Sequence, residues 1–262
     1  TTWDEVAAAI GQSSSDTRVV TGVSSLACPL PGTLSFVRRW TEDNEAIVVA
    51  HPDTLFVVPV EAGAHANTLT ADNPRLVFAR LTRQFLTDER PPGVAPTASI
   101  SPDAQIGLRV SIGHFTVVEE DVTIGDDVRI GHHVVLCRGV TLADRVTIGH
   151  HTTIGGVGFG FETEADGQHI RLPHQGGVQV GPGVEIGSHC SIASGTIDPT
   201  RLADNVKLDD CVFIAHNVQV DSGSFIIAGA EVSGGVRIGK RAWIAPEAAV
   251  SNQVSIGDDA LV

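Results

Sequence analysis

In the stretch FIAHNVQV, residues 213–220, His216 and Asn217 stand side by side between Ile214 and Val218. On an ordinary strand both would be solvated, outward-facing residues. An imidazole that titrates near neutrality has a second use, because it can take the proton from an amine as that amine adds to a thioester carbonyl. Such a step also needs a donor for the oxyanion that develops. Eighteen residues beyond His216, within VSGGVRIG, stands Gly234, whose backbone N–H has no side chain in its way. Whether the two meet depends on the elements that carry them.

Those elements are repeats. From Val94 an aliphatic residue falls at every sixth position, through Ile100, Ile106, Ile112, Val118, Ile124, Ile130, Leu136, Leu142 and Ile148 to Ile154. Glycine often follows it (Gly107, Gly113, Gly125, Gly131, Gly149), and a small or aliphatic residue sits four positions after it (Ala98, Thr116, Val122, Val128, Val146). This hexapeptide pattern predicts three short flat strands per triangular coil, with the two small or aliphatic slots of each hexad filling the prism. Residues eighteen apart then stack at about 4.8 Å, which places Gly234 one coil from His216.

The same arithmetic stacks His114, His132 and His150 in one ladder and His133 and His151 in a second. A ladder of imidazoles invites a zinc reading. Three rungs span roughly 9.6 Å, whereas ligands of one zinc each lie about 2.1 Å from it, so a single chain supplies two rungs at most and a neighbour must complete the set. The other reading is an outward ladder of neutral histidines at a corner or a trimer contact.

The register breaks twice. A polar, glycine-rich insertion runs from Gly155 to Gly177 and contains GVGFGFETEADGQHIRLPHQGG; it is expected to leave the prism as a functional loop. The hexads resume at Val180, Ile186 and Ile192, skip ten residues to Leu202, and continue through Leu208, Ile214 and Val220 to Ile256. Asp198 lies in the skip, where a turn-forming aspartate is the simplest reading.

Before residue 94 the hexad is absent. WDEVAAAIGQ has helical spacing, VVTGVSSLA, LSFV, AIVVA and TLFVVPV read as strand-like, and NPRLVFARLTRQFL reads as a helix with Pro74 in its first turn. Pro91-Pro92-Gly93 marks a boundary. The expected organisation is a small α/β cap over residues 1–92 and a β-prism over 93–262 with the loop insertion at 155–177.

Of the 262 residues, 42% are hydrophobic, enough for a substantial core, and the formal charge of −14 disfavours nucleic acid or an anionic membrane as partner. No basic segment leads into an apolar run, and no apolar run is long enough to span a bilayer, so a cytoplasmic location is expected. Cys28, Cys137, Cys190 and Cys211 lack the spacing of a disulfide framework or a zinc knuckle.

The segment SIASGTIDPTRLADNVKLDDCVFIAHNVQV resembles the one that the UDP-3-O-acylglucosamine N-acyltransferase family of lipid A biosynthesis carries around its catalytic histidine, skip included. GVGFGF with the return RLPHQGGVQVGPGVEIG is similar to that family's GFGF loop and its return. TGVSSLACPLPGTLSF and LTADNPRLVFARLTRQF are similar to its nucleotide-binding cap, so the resemblance covers about residues 3–260. It implies a mainly β fold, a left-handed parallel β-helix with a small N-terminal α/β domain, assembled as a homotrimer with active sites in clefts between prisms. His216 is implied as general base and Gly234 as oxyanion donor. Asn217, Asp198, Phe159, Phe161, His174 and Gln175 are implied to contact substrate, and Phe36 and Trp40 to offer a surface for the nucleobase. No metal or resident cofactor is implied: the acyl group arrives as a thioester of acyl carrier protein phosphopantetheine or of CoA, and the acceptor is the amine of a nucleotide-linked amino sugar.

Three departures from the family pattern stand out. Arg39 and Glu42 fall near the points where the family has an asparagine and a tyrosine, Gln253 replaces a second histidine, and the sequence ends at Val262 inside a hexad. The resemblance is therefore expected to be to a divergent, C-terminally shortened relative. The departures also leave three further readings: a short-chain acyl-CoA-dependent amino-sugar N-acyltransferase, a non-catalytic sugar-nucleotide-binding prism, and a zinc carbonic-anhydrase-like prism.

Overall fold

The computed structural model describes residues 1–86 and 91–262. The chain divides into two units, Thr1–Glu89 and Arg90–Val262.

In the first unit, α1 (Trp3–Ala8) starts from a capping box: the Thr2 hydroxyl accepts from Glu5 N–H while the Glu5 carboxylate accepts from Thr2 N–H. A parallel sheet follows, with β1 (Gly22–Val23), β2 (Thr33–Phe36), β3 (Leu55–Pro59) and β4 (Thr68–Ala71) in sequential order. The crossovers include α2 (Glu42–Ala50), and α3 (Pro74–Phe85) follows β4. One expectation is corrected here: AIVVA is the last part of α2, not a strand. Thr41 caps Asn44 N–H, and Glu42, Asp43 and Glu45 place negative charge in the first turn. Those signals outweigh the strand preference of the β-branched run, of which only Val48 is buried. VVTGVSSLA supplies just the two residues of β1, because β1 pairs over Gly22 and Val23 alone.

The second unit is a β-helix of three parallel faces with eight strands each. The first face runs from Gly93–Val94 to Trp243–Ile244, the second from Ser99–Ile100 to Ala249–Val250, and the third from Gln105–Ile106 to Ser255–Ile256. Pairing is in register at eighteen residues, as in Ile130 with Ile148 and Ile214 with Val232. The hexad aliphatics and the slots four residues on form one buried column, in which Leu136, Val140, Ile154, Ile192, Ile214 and Val218 are fully buried. Burying each such side chain contributes about 1.5–3 kcal/mol, which is what makes the sixfold pattern so strict.

Corners impose a second rule. The residue three after the inward aliphatic adopts a left-handed backbone, with φ near 57° at His151 and 61° at Asn217. Asparagine, aspartate and histidine tolerate this region better than most residues. The residue one place earlier has another duty. His132 Nδ1 accepts from His114 N–H at 2.8 Å, His150 Nδ1 accepts from His132 N–H at 2.9 Å, and Asp126 and Asp144 do the same for Leu108 and Asp126.

The insertion leaves the prism after the second-face strand Thr153–Gly156 and forms an antiparallel hairpin of Phe161–Thr163 with His169–Arg171. It returns against the skip: Gln175 N–H donates to Thr196 C=O and Gly176 N–H to Gly195 C=O. The two irregular segments thus brace one another. Space there is so tight that a Cβ on Gly195 would overlap the Asp198 carbonyl oxygen.

Candidate active site

His216 and Asn217 sit at the corner that follows the second-face strand Phe213–Ile214. The skipped residues fold over Asn217 and fix its carboxamide. Thr196 N–H and hydroxyl donate to Asn217 Oδ1 at 3.2 and 2.8 Å, and Asn217 Nδ2 donates to Asp198 C=O at 3.1 Å. These contacts leave no ambiguity over which end is oxygen. His216 Nδ1 lies 3.0 Å from that same Oδ1. A carboxamide oxygen only accepts, so the imidazole proton resides on Nδ1 and Nε2 keeps its lone pair. In the neutral ring this hydrogen bond leaves Nε2 as the nitrogen with the free lone pair, presented toward Gly234.

Gly234 lies directly under the ring. A Cβ there would come 2.8 Å from both His216 Cε1 and Nε2, so no side chain fits without displacing the imidazole. Its N–H donates to Asn252 Oδ1 at 3.1 Å. A cleft of about 360 Å³ opens beside the pair, walled by second-face residues Ser191, Phe213, Glu231 and Ser233 on one side and by Val157 and Phe159 of the insertion on the other. Phe159 is 82% exposed, and its ring packs edge-on against Phe161 at 5.2 Å. Arg171 stacks over Phe161 and donates to Gly158 C=O, which stiffens the hairpin base.

His174 stands edge-to-face with His216, the ring centroids 5.0 Å apart. Its Nδ1 points at Leu172 C=O, 2.9 Å away, so it too is protonated on Nδ1. Burial pushes its pKa below the ordinary value; the Leu172 hydrogen bond opposes the shift and His216 adds to it. With Gln175 it lines a neighbouring cleft of about 750 Å³ that also includes Cys137 and Arg138. The structure therefore gathers His216, Gly234, Asn217, His174 and Phe159 at one corner. Asp198 serves Asn217 through its backbone carbonyl, and the residue borders a further cleft lined by Asn217, Arg201, Gln219 and Arg237. Phe36 and Trp40 belong to the first unit, where Phe36 packs against Phe78 at 4.9 Å and Trp40 lies 5.4 Å from His65.

Several residues of the site were not legible in the sequence. Thr196 and Thr200, which fix Asn217 through its side chain and its N–H, lie in a segment whose register is broken, so no stacking rule places them. Asn252 is different: it stands eighteen residues after Gly234, and the coil arithmetic that paired His216 with Gly234 reaches it in one more step. As for the histidine ladders, their rings stack at 4.7–5.5 Å and a third rung, His189, follows His151. Among the described residues no three His, Cys, Asp or Glu side chains are grouped to hold a metal ion.

Comparison with known proteins bears on the fold and the family. Residues 103–138 and 121–156 match the bacterial transferase hexapeptide (six repeats) model. The UDP-3-O-acylglucosamine N-acyltransferase of Bordetella bronchiseptica is 36% identical over 92% of this chain and 74% of that protein. The chain belongs to the UDP-3-O-acylglucosamine N-acyltransferase family. The enzymes of that name from Pseudomonas savastanoi pv. phaseolicola and Pseudomonas entomophila are 38% and 39% identical, over 82% and 77% of this chain. The chain spans 66% and 62% of the length of those two relatives, somewhat less than two thirds. Among solved structures, UDP-N-acetylglucosamine acyltransferase from Campylobacter jejuni superposes with a TM-score of 0.58 over 64% of each chain at 23% identity, a likeness of fold. Membership of the UDP-3-O-acylglucosamine N-acyltransferase family agrees with the β-helix faces and the N-terminal parallel sheet. No described helix is long and apolar enough to cross a membrane.

Proposed function

We propose that the protein transfers an acyl group from a thioester to the amine of UDP-3-O-acylglucosamine, the N-acylation step of lipid A biosynthesis, with His216 as general base. The observation that carries this reading is the Asn217 clamp on His216 Nδ1, which leaves Nε2 basic above Gly234 and beside an exposed apolar ring. The amine attacks the thioester carbonyl carbon and gives its proton to Nε2, while the Gly234 N–H stabilises the oxyanion. Collapse of the tetrahedral intermediate expels the thiolate, which takes the proton back from Nε2. The products are an amide and a free thiol, and His216 ends neutral. No covalent enzyme intermediate is required.

Family membership supports acyl carrier protein as donor carrier, a homotrimer as the working assembly, and Asn217, His174, Gln175, Phe159 and Phe161 as substrate contacts, with Phe36 and Trp40 facing the nucleobase. We place the protein in the cytoplasm, where acyl thioesters are made; the four free cysteines fit a reducing compartment. The test is a donor and acceptor cross-panel scored by product mass. Acetyl-, 3-hydroxybutyryl- and long-chain acyl-CoA and 3-hydroxyacyl carrier proteins are each offered with several amino-sugar nucleotides, and His216→Ala serves as control. N-acylation of UDP-3-O-acylglucosamine by a 3-hydroxyacyl carrier protein is the expected product. Transfer only of short chains to another amino sugar overturns the substrate assignment, and no transfer with any pair overturns the enzyme assignment.

A further inference from the structure

The Gly234 N–H is already engaged: it donates to Asn252 Oδ1 at 3.1 Å. That bond is one instance of a brace repeated along the prism. Asp144 caps Asp126 N–H, Asp210 caps Ser188 N–H and Asp258 caps Lys240 N–H, always from the slot two residues after the inward aliphatic. At Gly234 the brace falls on the N–H of the residue that lies directly against the His216 ring, where a Cβ would come 2.8 Å from Cε1 and Nε2. Asn252 is exposed, borders both clefts that flank His216, and its carboxamide makes this single hydrogen bond among the described residues.

One N–H cannot bond fully to a carboxamide oxygen and to a developing oxyanion at once. We propose that Asn252 is a displaceable cap on the oxyanion donor: the thioester carbonyl evicts it, and the released carboxamide turns to water. Asn252 is thus a positioning residue that sets the threshold for productive donor binding. The inference rests on the acyl-transfer reading above.

Two substitutions with opposite expected signs test it. Asn252→Ala frees the N–H and raises kcat/KM for the donor about three- to tenfold, the rate equivalent of one neutral hydrogen bond. Asn252→Asp holds the N–H more strongly and sets a negative charge where the oxyanion must form, so kcat/KM falls about tenfold or more. Aspartate fills this slot natively at Asp126, Asp144 and Asp258, so the Asp variant folds with an unchanged thermal midpoint. A mere brace predicts wild-type turnover for Asn252→Asp. That result, or Asn252→Ala at or below the wild-type rate, overturns the proposal. His216→Ala in the same assay separates the two levels: if its turnover collapses while both Asn252 variants match wild type, the cap alone is refuted. If wild type itself transfers nothing, the acyl-transfer reading fails and the cap with it.

Discussion

His150 and His216 occupy the same slot of the hexad, two residues after an inward isoleucine, yet they carry their protons on opposite nitrogens. His150 Nδ1 accepts from the His132 backbone, so its proton lies on Nε2 and its lone pair is spent inside the coil. His216 Nδ1 donates to Asn217, so its lone pair faces the cleft. The difference originates one coil earlier. Beneath His150 the matching residue is His132, whose N–H donates to it; beneath His216 the matching residue is Ser194, whose N–H is bonded instead to Gly156 C=O at the base of the insertion. The skip and the insertion together release one histidine from structural duty, and Asn217 re-employs it. The same side chain at the same position has its Nδ1 as acceptor or as donor according to what lies one coil before it.

The largest effect expected from breaking this contrast is at His216. On the proposed mechanism His216→Ala should lower kcat by about 100-fold or more while nucleotide-sugar binding persists, because that mechanism loses its general base and keeps the cleft walls. Single-turnover kinetics with calorimetric binding would show it; a matched fall in binding and rate would instead mark His216 as a contact residue. Next is Asn217→Ala, which frees the ring to choose its tautomer. We expect kcat to fall about 10- to 100-fold, smaller than the effect of His216→Ala. An unchanged kcat would mean that the clamp does not govern the base.

On the other side of the comparison, His150→Ala removes an acceptor for one exposed N–H, worth about 1 kcal/mol. The thermal midpoint should drop by about 2–4 °C with turnover untouched. A loss of activity in that variant would give the ladder a part in the reaction.

The contrast also explains what was legible in the sequence. The prism could be read because its interior repeats the same demand every sixth residue, and the ladders followed from stacking at eighteen. The His216 tautomer could not, since it depends on Ser194, Thr196 and Asp198, which lie where the period fails. AIVVA was misread for a related reason: its β-branched residues carry a local preference, while the signals that make it helical, Thr41 and the acidic first turn, lie upstream. At Asn252 the periodic signal was present and unused, because a corner asparagine followed by Gln253 looks like an ordinary turn.

The smallest expected effect is on the pH dependence of stability. His151 is stacked between His133 at 4.7 Å and His189 at 5.0 Å. Desolvation in the stack, and then repulsion from His133, His189 and His150, hold its pKa below the ordinary 6.5. Between the folded value and 6.5 the unfolded chain binds a proton that the folded chain does not, so stability rises with pH across that interval. Read downward, stability is full above the ordinary histidine value, is lost as pH falls through the folded pKa, and then levels off. The site is solvent-exposed, so the change should be modest. Thermal midpoints of wild type and His151→Gln at pH 8 and pH 5 would isolate it: the wild type should lose more on acidification than the variant, with equal turnover at pH 8. Parallel losses would remove His151 from the acid response and assign it to other groups, among them His174, whose pKa burial lowers in the same direction.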